Sequence, residues 1–199
     1  MKMQLCFLIW SVGGVFCFFG NDVLAKSAIT PGLKSRGSMM ARPERSLSQV
    51  VVPKDGDACF SPEEPCDLKL IKLIQSAQKS IDIAIYDINR DQLVHELLVA
   101  SQKVSVRVVV DRRQSKGNRS LVSILIQAGV PVRFGKQRGI MHDKFTIVDS
   151  KIIETGSFNY TNHASEANHE NQVYLASPNI VEKYNKQFET LWLNAQPAR

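Results

Sequence analysis

The sequence of 199 residues carries a formal net charge of +6 and is 44% hydrophobic. That length suits one domain with appendages, and that apolar content suffices for a full core, which excludes a wholly disordered chain. The positive balance favours polyanionic partners, although a basic surface kept for solubility would give the same number.

Residues 1–25 read as a signal peptide and not as part of the fold. Lys2 is a short positive lead, residues 5–19 form an apolar run, and Val23-Leu24-Ala25 offers modest side chains where a signal peptidase reads. The run is short of the roughly 20 residues of a membrane span. Cleavage after Ala25 would export the chain to the periplasm or beyond, and an uncleaved anchor is the alternative. Phe16 before Cys17 disfavours a lipoprotein signal. Nothing further along could span a bilayer.

Residues 26–54 are rich in Ser, Gly and Pro, with Lys26, Lys34, Arg36, Arg42, Arg45 and Lys54 against Glu44. Residues 26–55 read as a flexible basic linker, leaving 56–199 as the folded domain. Cys6 and Cys17 leave with the signal; Cys59 and Cys66 remain. In an oxidising space such a pair points to a disulfide, worth roughly 2–3 kcal/mol for so short a loop. The other reading, a metal half-site, lacks a nearby histidine.

Helical periodicity runs over 65–79 through Leu68, Ile71, Leu73, Ile74 and Ala77. It returns over 91–102 through Leu93, Leu97, Leu98 and Ala100. Strands are expected at 81–86, 104–110, 130–134 and 170–176. Further helices are expected at 117–128, closed by Gly129, and at 178–194. Strands alternating with helices predict an α/β domain, a central mixed sheet flanked by helices.

Ligands gather beyond the carboxyl ends of strands in open α/β sheets. Arg112, Arg113 and Lys116 follow the second strand, and Lys136 and Arg138 lead into Met141. These five are candidate phosphate contacts in a nucleic-acid groove, with scattered surface charge as the alternative. Little aromatic residue is interleaved, so sequence readout looks weak.

The chemistry concentrates between Met141 and Asn162, MHDKFTIVDSKIIETGSFNYTN. Read as a strand, it puts His142, Lys144, Thr146 and Val148 on one face. Met141, Asp143, Phe145, Ile147 and Asp149 fall on the other, and Phe145 and Ile147 mark that face as the buried one. Asp149-Ser150-Lys151 is the expected turn and Ile152-Ile153 the return. Gly156 is expected to let the backbone approach a ligand. An imidazole beside a fixed ammonium, with Ser157 and Asn159 as neutral donors, suits a phosphodiester.

This spacing, H-x-K-x4-D-x6-G-S-x-N, resembles the phospholipase D superfamily signature. His142, Lys144, Asp149, Gly156, Ser157 and Asn159 match every position. Cys59-Phe60-Ser61-Pro62, residues 80–86 and Gly156 to Tyr160 are also similar to the small bacterial endonuclease branch with one motif per chain. The resemblance spans about 57–194.

The resemblance implies a phospholipase D-like fold, with His142 as nucleophile and a phosphohistidine intermediate. Lys144 and Asn159 would serve catalysis, Ser157 would help bind the phosphate, and Glu170 would orient the histidine. Asp149 would be structural. No cofactor and no metal are implied; His163 and His169 near Glu170 are the weaker, metal-binding alternative. The mechanism wants a second histidine beyond phosphorus, and no second H-x-K occurs, so a homodimer with one composite site is implied. The expected function is an exported, metal-independent endonuclease acting on DNA, with RNA as a further polymer, and with little sequence preference. A lipid phosphodiesterase and a non-catalytic nucleic-acid-binding envelope protein are the alternatives. Basic flanks and intact His142 and Lys144 favour the first.

Overall fold

The computed structural model describes residues 52–135 and 139–198. The expected signal peptide, all but the end of the expected linker, and Lys136 and Arg138 lie outside the described residues.

The strands are β1 (Asp57–Ser61), β2 (Ser80–Ile85), β3 (Ser105–Asp111), β4 (Val132–Gly135), β5 (Phe145–Val148), β6 (Ile152–Gly156), β7 (Glu170–Leu175) and β8 (Gln196–Pro197). They form one mixed sheet in the order β1-β7-β6-β5-β2-β3-β4-β8. The helices are α1 (Cys66–Gln75), α2 (Asp91–Ser101), α3 (Val122–Gln127), α4 (Asn162–Glu166) and α5 (Pro178–Asn194). β2, β3 and β4 are parallel neighbours, joined through α2 and α3, because parallel strands need a crossover connection. β5 then pairs antiparallel with β2, and β6 folds back on β5 across a short turn. The mixed α/β sheet expected from the alternation is thus present.

Both faces of the sheet are covered. Ile83, Ile85, Val108, Val110 and Val148 pack with Leu70, Leu73, Leu93 and Leu97 of α1 and α2. Ala84, Val109, Phe145, Ile147 and Ile153 pack with Val181 and Phe188 of α5. The continuous apolar runs of β2 and β3 follow from this, since strands buried on two faces do not alternate. α5 is fastened by Arg107, which holds Asp82 at 2.7 and 2.9 Å and Glu189 at 2.7 Å. Cys59 of β1 and Cys66 of α1 form a disulfide with Cα atoms 5.7 Å apart.

Three expectations need correction. The helix at 117–128 is only α3, preceded by a 3₁₀ turn at Gln114–Lys116. Gly117-Asn118-Arg119-Ser120 favours a turn, and the Ser120 hydroxyl accepts the Val122 amide N–H at 3.3 Å. The motif strand starts at Phe145, not Met141, because Ala84–Phe145 is the last rung shared with β2. Finally, Thr146 and Val148 are as buried as Phe145 and Ile147, so alternation did not separate a solvent face from a core face.

Burial of the Thr146 face creates an unusual acid. Glu154 lies opposite Thr146 in the β5–β6 ladder and is 2% exposed. The Thr146 hydroxyl donates to it at 3.0 Å and lies 2.5 Å from the Tyr160 hydroxyl. Burial pushes the Glu154 carboxyl up to about 8, against the opposing effect of the Thr146 bond. The folded chain therefore keeps a proton that the unfolded chain releases above its ordinary value of 4.5. Between those values the folded state binds more protons, so this group's contribution to stability falls as pH rises. The slope reaches about 1.4 kcal/mol per pH unit. Glu154→Gln should flatten that decline. Urea midpoints at pH 5 and pH 8 should lie closer together in the variant than in the wild type; an unaltered gap would contradict the buried neutral acid.

Candidate active site

The register gathers the motif at one rim of the sheet. β2, β3 and β6 end there, while β5 and β7 begin there. Phe145 pairs with Ala84 on one side and Thr155 on the other, and Gly156 pairs with Gln172. The rim therefore carries Tyr86, Asp111, His142, Lys144, Ser157 and Glu170 from strands far apart in sequence.

The segment before β5 is held from below. Met141 is buried, and its amide donates to Asp111 Oδ2 at 3.0 Å. Asp111 Oδ1 accepts the amides of Arg113 and Gln114, both at 2.9 Å. One carboxylate thus ties the loop after β3 to the start of the motif. His142 stays exposed, with its ring edge-on to Tyr86 at a centroid distance of 4.7 Å.

Lys144 is 9% exposed. Its ammonium donates to the His142 carbonyl oxygen at 2.8 Å and lies 5.4 Å from the Tyr86 ring centroid. Burial holds its pKa below the ordinary lysine value, while the carboxylates of Glu170 and Asp143 pull it back up. An ammonium with three donors and one hydrogen bond among the described residues has capacity left for an anion. A phosphate oxygen there would replace the lost hydration with a charge-assisted bond.

Ser157 and Glu170 form a pair. The Ser157 hydroxyl donates to Glu170 Oε2 in a short bond and accepts the Asn171 amide at 3.1 Å. Asn168 Nδ2 donates to Glu170 Oε1 at 3.0 Å. Within one chain Glu170 is therefore bonded to Ser157 and Asn168 and not to His142. The expected carboxylate–imidazole contact is not made, and Tyr86 is the neighbour of the ring instead. The Ser157 hydroxyl proton is likewise committed to Glu170, so Ser157 is not a free donor.

Gly156 has a different reason from the one expected. A Cβ there would lie 2.1 Å from the Asn171 carbonyl oxygen, so it is the backbone of β7, not a ligand, that comes close. Asp149 lies at the far end of β5, in the turn, with φ 54°. Its carboxylate accepts the amides of Gln78, Lys79 and Ser80 at 2.7–3.1 Å and fastens the turn to the start of β2. Asn159 is half-buried, and its Oδ1 is buried with no hydrogen-bond partner among the described residues.

Arg112, Arg113 and Lys116 are exposed beyond β3, at the same rim, with no ion pair among the described residues. His169 lies 3.6 Å from Glu63, and both are exposed. Among the described residues, the potential metal ligands that converge are Cys59, Glu64 and Cys66, and the two thiols are joined to each other. On the α5 side a cleft of about 430 Å³ adds Lys183, Tyr184 and Gln187 to His142 and Lys144. Tyr86, Asp111 and Lys183 were missed as site residues. Tyr86 and Asp111 could have been found from their place at strand ends, but no local signal marks Lys183.

A histidine and a buried lysine two residues apart at the rim of a mixed sheet, with the downstream G-S-x-N, define a class. It is that of the phospholipase D-type phosphodiesterases, enzymes that hydrolyse phosphoric ester bonds. The chain belongs to this family: residues 70–192 match the family model described as cardiolipin synthase, PLD-like domain. It is 32% identical over 158 residues to the mitochondrial cardiolipin hydrolase of Xenopus tropicalis, covering 78% of this chain and 75% of that protein. It is 33% identical over 179 residues to a phospholipase D of Rickettsia conorii, covering 89% and 83%. Among solved structures it is similar to Nuc from Salmonella typhimurium, a phospholipase D family member. The TM-score is 0.68 at 30% identity, over 72% of this chain and 97% of that one. NucT from Helicobacter pylori shares the fold, with a TM-score of 0.64 at 24% identity, over 72% of this chain and 98% of that one.

Proposed function

We propose that the chain is an exported endonuclease that cleaves nucleic acid with little sequence preference, without a metal ion, as a homodimer. The observation that carries this reading is an exposed His142 beside a buried, under-bonded Lys144, flanked by the exposed cations Arg112, Arg113 and Lys116. Similarity to Nuc supports it.

In this mechanism a neutral His142 nitrogen attacks phosphorus. The bond to the leaving oxygen breaks, and that oxygen takes a proton from the partner's His142. Phosphorus is then bonded to His142. Water gives a proton to the partner's His142 and attacks phosphorus, and the P–N bond breaks. Lys144 and Asn159 offset the charge on the phosphoryl oxygens throughout, the part a metal would otherwise play.

A lipid phosphodiesterase is the second reading, favoured by the relatives called cardiolipin hydrolase and phospholipase D. No helix among the described residues is long and apolar enough to cross a membrane. The deciding assay offers the purified protein single- and double-stranded DNA, RNA and cardiolipin vesicles in excess EDTA. Nucleic-acid cleavage that persists in EDTA is the expected result. Cleavage of cardiolipin alone would transfer the site to lipids, and abolition by EDTA with rescue by magnesium would remove the metal-free mechanism.

A further inference from the structure

The segments that bring Lys144, Ser157 and Asn159 to the rim share one buried polar cluster beneath them. Thr146 stands two residues inside Lys144 on β5, Glu154 lies on β6 two residues before Gly156, and Tyr160 directly follows Asn159. All three are at most 2% exposed. The Thr146 hydroxyl has one proton and gives it to Glu154 Oε2 at 3.0 Å, so the Tyr160 hydroxyl donates to the Thr146 oxygen at 2.5 Å. The cluster thereby ties the strand of Lys144 to the segment of Asn159. None of these three side chains takes part in the displacement itself.

We propose that Glu154 is a positioning residue for phosphodiester hydrolysis and a proton gate on it: neutral, it braces Lys144 against Asn159, and ionised, it releases them. Such a gate requires only the phosphodiesterase class of the chain and operates whether the substrate is nucleic acid or lipid. A buried carboxylate needs several donors or a cation, and among the described residues Glu154 is bonded to Thr146 alone. Tyr160 faces it from the loop after β6, and Tyr174 pairs with it from β7. Burial, and then the Glu154 carboxyl, hold both phenols above their ordinary value, so neither ionises where Glu154 does. From α1, Lys69 lies over the Tyr174 ring at 4.8 Å, but it is paired with Asp57 of β1 at 2.6 Å. Gln172 is the donor left over. It shares the face of β7 with Tyr174; its Oε1 accepts the Tyr174 hydroxyl at 2.7 Å, and its Nε2 is buried without a partner among the described residues. An ionised Glu154 would draw that amide. The Gln172 side chain then turns from Tyr174 and the carboxyl from Thr146, and the brace between Lys144 and Asn159 opens.

The test follows cleavage of bis(p-nitrophenyl) phosphate from about pH 6 to about pH 10. A nucleophilic imidazole must be neutral, so it limits the acid side of the profile. p-Nitrophenolate leaves without a proton, so an acid histidine adds no alkaline fall. Wild-type kcat should fall about tenfold per pH unit above about pH 8. Glu154→Gln, neutral throughout, should keep the wild-type kcat at the acid end and hold it past that point. Glu154→Leu, without a hydrogen-bonding group, should lose about tenfold in kcat at every pH with little change in KM. An alkaline fall that survives in Glu154→Gln at the wild-type midpoint would assign it to Lys144 and overturn the gate. Wild-type kcat in Glu154→Leu would overturn the positioning role. Infrared difference spectra of the wild type need no variant: the stretch of a protonated carboxyl should disappear with the same midpoint as the rate. A wild type without that band at the acid end would overturn the proposal even if both substitutions fail to fold.

Discussion

His142→Ala should lose at least about 10⁴-fold in turnover while binding nucleic acid with nearly wild-type affinity. Removal of a covalent nucleophile costs rates on that scale, because the remaining groups can only orient and neutralise the phosphate. Binding should survive because the imidazole is exposed and its ring touches Tyr86 alone among the aromatic side chains described. Lys144→Ala should behave differently. Its ammonium is desolvated, bonds the His142 carbonyl oxygen and lies over Tyr86, so its loss removes a phosphate contact and loosens the histidine. Both affinity and turnover should fall. Single-turnover cleavage and direct binding measurements separate the two variants. Substantial turnover by His142→Ala at neutral pH would refute the assignment of the nucleophile.

Much of this site was legible in the sequence, for local reasons. The motif's chemistry lies within 18 residues, His142 to Asn159, and strand–turn–strand fixes their relation. α5 was read with its observed limits because Pro178 occupies its first position and an unbroken helical pattern follows. Short elements escaped notice: β1, β8 and α4 are too brief to show a period, although Thr161 caps α4 by accepting the Ala164 amide at 3.1 Å. What the sequence could not show was distance across the sheet. The partners of Glu170, the backbone pressed against Gly156 and the tie from Asp111 to Met141 all depend on strand order. Alternation misled along β5 for the same reason, since a central strand covered on both faces has no solvent side.

The largest consequence of the single motif is quaternary. Each chain supplies one H-x-K histidine, and the two-step displacement we propose wants two, on opposite sides of phosphorus. His142 projects from the rim of the sheet and is exposed, so a partner's His142 can face it across a two-fold axis, the commonest symmetry of self-association. His169 does not replace it readily, because it lies beside Glu63. Co-refolding wild-type chains with excess His142→Ala chains tests this. If one composite site needs both histidines, every mixed dimer is inactive. Activity per total chain should then fall as the square of the wild-type fraction, so that halving that fraction leaves about a quarter of the activity under random pairing. A linear fall, with random mixing confirmed by mass-tagged chains, would mean that each chain holds a complete site and that the acid must be sought within it.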